Sequence, residues 1–93
     1  MKQIKFTTES GTTYTLVDDH HFRIKKGDSG YEWSIKPWQW FAFDEKDPAV
    51  KGGIGAILDD AKRLDPIPGL RLMVYGKDEW RISTKIKTIE DMY

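Results

Sequence analysis

Ninety-three residues, with four each of tryptophan, tyrosine and phenylalanine and no cysteine, are the size of one domain, residues 1–93. Such a chain has a small core and neither a disulfide nor a thiolate metal site to support it. Fifteen basic and fifteen acidic side chains cancel, which argues against a protein that grips nucleic acid by neutralising phosphates and removes one defence against self-association.

From the start of the chain, residues 3–17 read as a hairpin. In KQIKFTT, Ile4 and Phe6 alternate with Lys5 and Thr7, the period of a half-buried strand. ESG at 9–11 is turn chemistry, and TTYTLV supplies a β-branched second strand. HHFRIKK alternates again with Phe22 and Ile24 inward, KGDSG turns, and YEWSIK places Tyr31, Trp33 and Ile35 on one face. The first half is therefore expected to be a β-meander.

At Pro37 the pattern changes. Upstream, the even positions Glu32, Ser34 and Lys36 are polar; downstream, they become Trp38, Trp40 and Ala42, while Phe41 and Phe43 are also apolar. Proline lacks the ladder donor and favours a bulge, a bend or an edge. Either the strand turns a corner and exchanges faces, or it is covered on both sides.

DEKDP at 44–48 is a polar break. KGGIGAILDDAKRLDP then sets Ile54, Ile57, Leu58, Ala61 and Leu64 at helical spacing, with Asp59, Asp60, Lys62 and Arg63 opposite and Asp65-Pro66 as a stop. This predicts one amphipathic helix of about three turns within residues 53–65. LRLMVY and WRISTKI read as strands joined by GKDE. The expected fold is α+β: a mostly antiparallel sheet of six or seven strands, a meander plus a C-terminal hairpin, with the helix packed on it.

Asp18-Asp19-His20-His21 contains metal-ligating types, but neighbouring strand residues point to opposite faces, so a polar turn and no metal are expected. Lys51, Gly52, Gly53 and Gly55 open the helix, where unpaired N–H groups can meet an anion or ligand. The phosphate-loop and dinucleotide patterns are absent, and the other reading is a flexible entry that lets the helix pack closely. Arg81, Ser83, Lys85 and Lys87 alternate as a basic stripe, suited to an acidic partner or a phosphate, or simply to solvent. No Gly-x-Ser-x-Gly elbow, no cysteine and no base-orienting context for a histidine are found, so no enzyme and no cofactor are expected.

The aromatic stretch 31–43 is the strongest signal. Tyr31, Trp33 and Phe41 are assigned to the core, and Trp38 and Trp40, with Phe43 beside them, to a binding face. One helix is too little cover for two large indoles, and tryptophan, tyrosine and arginine dominate interface anchors. A second copy, a host protein or a planar ligand is expected to cover them.

IKFTTESGTTYTL near the start and GLRLMVYGKDEWRISTKIKTIE near the end resemble small accessory proteins encoded by actinobacterial phages. In those a short hairpin with a Thr-Thr-x-Ser-Gly-like turn leads the chain and a Trp-Arg-x-Ser-Thr segment closes it. The resemblance implies a phage or prophage accessory protein that binds and blocks a host factor, such as a defence component, in the host cytoplasm. Two other readings stay open: a protein that sequesters a nucleotide between the aromatic face and the glycine-rich helix entry, and a virion or assembly component that self-associates. The polar opening MKQIKFTTES has no signal-peptide run, and no stretch approaches the roughly 20 apolar residues of a membrane span, so a soluble protein without a membrane partner is expected.

Overall fold

The structure is a computed structural model that describes residues 3–18, 21–28 and 30–92. The alternating segments form strands where expected: β1 (Gln3–Thr8), β2 (Thr12–Val17), β3 (His21–Lys26) and β4 (Glu32–Ile35). They pair antiparallel in sequence order, with Phe6 opposite Tyr14, Leu16 opposite Phe22 and Ile24 opposite Trp33. The last strand, β8 (Ile86–Met92), returns to the free edge of β1 and sets Ile89 opposite Phe6. The order of this five-stranded sheet is β4-β3-β2-β1-β8.

The expectation of a single sheet is corrected. Three further strands, β5 (Pro37–Phe43), β6 (Arg71–Gly76) and β7 (Trp80–Ile82), form their own antiparallel sheet in the order β5-β6-β7. Among the described residues the protein is thus a small α+β fold with eight strands in antiparallel sheets and one α-helix.

Two segments that read as continuous strands each pass from one sheet to the other. Lys36 alone separates β4 from β5, and Pro37, which has no N–H to give to a ladder, stands at the corner. The segment WRISTKI likewise divides at Ser83–Lys85 into β7 and β8. Sheets joined by bent strands in this way close around a shared core.

That core holds Phe6, Tyr14, Leu16, Phe22, Ile24, Ile35, Ala42, Leu72, Val74 and Ile86. Phe6, Phe22, Ile24, Leu72 and Val74 have no exposed surface, and each such side chain contributes about 1.5–3 kcal/mol of transfer free energy. A second cluster lies on the other side of the small sheet, where Phe41, Phe43 and Met73 meet Ile57 and Ala61. So β5 both turns a corner and is covered on both faces, by the large sheet and by the helix.

The helix α1 (Ile54–Asp60) is shorter than its apolar spacing suggests, and a 3-10 helix over Pro48–Gly52 precedes it. A turn of the backbone, two hydrogen bonds and two charges end it early. Ala61 turns to extended backbone, the Lys62 amide donates to Asp47 Oδ2 at 3.0 Å, and the Leu64 amide donates to the Ala42 carbonyl at 2.9 Å. Asp59 and Asp60 also place negative charge at the end of the helix that favours positive charge. Leu64 therefore packs against the inter-sheet core instead of extending the helix face. No helix among the described residues is long and apolar enough to cross a membrane.

Candidate functional site: an aromatic face on the small sheet

The register of β5 slips between two pairs. Pro37 lies opposite Gly76, while Gln39 lies opposite Tyr75, and Trp38 is the extra residue of a β-bulge. The bulge takes Trp38 out of the alternation that carries Trp40 and Ala42. Its ring lies 6.1 Å from the Tyr75 ring, and Tyr75 sits directly across β6–β7 from Trp80. Trp38 is 68% exposed and Trp80 48%.

These rings share the face of the small sheet that carries α1. Along β6, Met73 is under the helix and Tyr75, two residues on, is beyond it; along β7, Ile82 is under the helix and Trp80 is beyond it. The lengths explain why. A helix of seven residues spans about 10 Å, whereas a strand of seven spans about 23 Å. The helix covers one end of the face and leaves Trp38, Gln39, Tyr75 and Trp80 at the other.

Arg63 marks the boundary. Its guanidinium lies over the Phe41 ring, 4.1 Å from the centroid. It donates to Gln39 Oε1 at 2.6 Å and to the Leu58 carbonyl at 3.3 Å. The sequence reading missed Arg63, Gln39, Tyr75 and Trp80. A signal for two of them was present: the loop GKDE joins Tyr75 to Trp80, and a hairpin there sets the two opposite each other.

Of the expected binding residues, Trp38 is on this face. Trp40 is corrected: half-buried, it packs against the inter-sheet core, with its ring 5.3 Å from Phe22 and 6.1 Å from Phe6. Phe43 is corrected too, since it has no exposed surface and packs under the helix. Tyr31, assigned to the core, is 64% exposed and lies 5.1 Å from the half-buried Trp33.

The basic stripe does not exist as a stripe. Arg81 faces the large sheet with its guanidinium 5.0 Å from the Trp33 ring. Its charge and that of Arg71 partly offset the burial that pushes the Tyr14 hydroxyl pKa up. Ser83 is buried at the change of sheet. Lys85 is paired with Glu45 at 2.9 Å, and that bond raises its pKa. Lys87 lies apart on β8, exposed.

The glycine-rich entry has structural duties. Gly53 caps α1 with φ at 84°, and a Cβ on Gly52 would come within 2.6 Å of the Ala56 Cβ. The hollow beside Gly52 is lined by Asp47, Pro48, Ala49, Ala56 and Asp60, so it offers carboxylates and no aromatic ring. Lys51 is exposed in the last turn of the 3-10 helix, and Gly55 faces open space. Of the Asp18–His21 cluster, Asp19 and His20 lie outside the described residues; Asp18 turns at a φ of 57° and His21 begins β3.

Asp47 ties this region together. Its carboxylate accepts from the Ala49 amide at 2.9 Å and from the Lys62 amide at 3.0 Å, and the first and then the second of these bonds hold its pKa below the usual value. A depressed carboxylate stabilises the folded state above the unfolded pKa, and that contribution is lost as pH falls through the folded value. The stability gap between the protein and Asp47→Ala is therefore expected to be constant near neutral pH and to close below about pH 4. Equal gaps at both ends of a pH series of urea melts would show that the two bonds are not coupled to folding.

No protein-family model, no curated protein and no solved structure matches the chain.

Proposed function

We propose that the protein is a non-enzymatic binding protein of the phage accessory type, which occupies a host protein, such as a defence component, through Trp38, Tyr75 and Trp80. One observation carries the reading: large rings are held exposed on a sheet whose other end is packed under a helix. Rings fixed on a strand lose little conformational freedom on binding, and tryptophan and tyrosine supply most of the energy at protein interfaces. The face lies on an open sheet surface, whereas small-molecule sites are concave. The glycine entry adds carboxylates where a nucleotide would need donors. Both points favour a protein partner over a sequestered nucleotide.

The test compares the protein with Trp38→Ala/Trp80→Ala. Both are immobilised, exposed to extract of an actinobacterial host, and the retained proteins are quantified by mass spectrometry. A protein retained by the wild type is then purified and titrated. Its association is expected to weaken by about 2 kcal/mol or more, roughly thirtyfold, in the variant, with the melting curve almost unchanged. Equal affinity for the two would remove the aromatic face from the function.

A further inference from the structure

Arg63 borders the aromatic face and is held by neutral groups only: the Phe41 ring, the Gln39 amide oxygen and the Leu58 carbonyl. Among the described residues the ion pairs are Arg23–Glu32 and Lys85–Glu45, and no carboxylate pairs with Arg63. Both of its hydrogen bonds leave from Nη2, so Nε and Nη1 keep donors to spare. Stacking on Phe41 fixes the guanidinium before any partner arrives, which lowers the entropic cost of using it. A guanidinium is weakly hydrated and its planar fork matches a carboxylate.

We infer, resting on the protein-binding reading above, that the Trp38–Tyr75–Trp80 face takes a segment of a partner protein that carries a carboxylate beside apolar or aromatic side chains, with the carboxylate on Arg63. The apolar neighbours cover the exposed rings and the carboxylate supplies the counter-charge that Arg63 lacks. A single fixed cation suits a single carboxylate. A polyanion such as nucleic acid would call for a basic surface, and the chain's charges sum to zero.

The test uses a ribosome-displayed random peptide library selected on the full chain, followed by titration of the enriched synthetic peptides. The expected peptides carry Asp or Glu next to Leu, Phe or Trp and shift the indole N–H resonances of Trp38 and Trp80 but not that of Trp40. Arg63→Gln, checked by its melting curve, is expected to weaken them about tenfold or more. Exchanging the peptide carboxylate for its amide should do the same, with little further loss when both changes are combined. If the indoles shift but neither exchange matters, the carboxylate inference falls and the aromatic face stands. If no peptide is enriched, or those enriched leave both indoles unmoved, the inference and the reading fall together. Both also fall if ATP or oligothymidylate binds on Trp38, or if sedimentation shows a dimer that Trp38→Ala/Trp80→Ala converts to monomer.

Discussion

Trp40→Ala, which removes a partly buried indole packed against the core, is expected to cost the protein about 3 kcal/mol of unfolding free energy, while Trp38→Ala, two residues away, stays within about 0.5 kcal/mol. The Trp40 ring meets Phe22 edge-on at an interplanar angle of 82°, and it meets Phe6 at 57°. Both phenylalanines have no exposed surface, so neither can move out to fill the space. The loss comprises the transfer energy of the indole, the cavity left between the sheets, and about 0.5–1.5 kcal/mol for such an aromatic pair. Against a total stability of about 5–15 kcal/mol that is a large fraction. Trp38 meets Tyr75 at the surface and already stands in water. Urea denaturation followed by circular dichroism distinguishes the two cases. Equal losses for the two variants would mean that the bulge does not separate the indoles onto different faces.

How far such a structure is legible depends on the range of the forces involved. The strands of the meander were legible because period-two burial is local: Phe6, Phe22 and Ile24 announce their inward face from their neighbours alone. The corner at Lys36–Pro37 was half legible. Proline signalled an interruption, but the choice between exchanging faces and double cover depends on β6, thirty-odd residues away, and both occur. The assignment of Trp38 and Trp40 to one side failed because a bulge of a single residue flips parity. The helix was over-extended because periodicity sees Leu64 in phase, whereas the bonds from Lys62 to Asp47 and from Leu64 to Ala42 bring distant parts of the chain together. Of the aromatic face, Trp38 was found. Tyr75 and Trp80 were read as strand residues and not as a cross-strand pair, although the hairpin loop between them fixes that pairing.

The second large effect is expected where β7 gives way to β8. Ser83→Ala should cost about 1–3 kcal/mol, although it removes one oxygen and leaves no cavity worth the name. The Ser83 amide donates to the Leu72 carbonyl at 2.9 Å, as a strand residue should. Its own carbonyl does not return the bond, because it accepts from Arg71 Nε at 2.7 Å. The side chain takes its place: Ser83 Oγ accepts from the Leu72 amide at 2.8 Å and donates to the Thr84 carbonyl at 2.6 Å. A hydroxyl thus stands in for a ladder carbonyl at the residue where the chain leaves one sheet for the other. From there Ile86 bonds back to Leu70 and pairs with Thr8 on the large sheet. Alanine would strand the Leu72 N–H in a region where Leu72 has no exposed surface and Ser83 only 2%, and an unpaired buried amide loses the full free energy of its hydration. Ser83→Thr keeps the hydroxyl and should recover part of the loss, which separates the bond from mere tolerance of the position. The residue-level readout is amide hydrogen exchange at Leu72, expected to speed up in Ser83→Ala beyond what global destabilisation accounts for. Unchanged protection there, with stability intact, would mean that the sheet change does not depend on this hydroxyl.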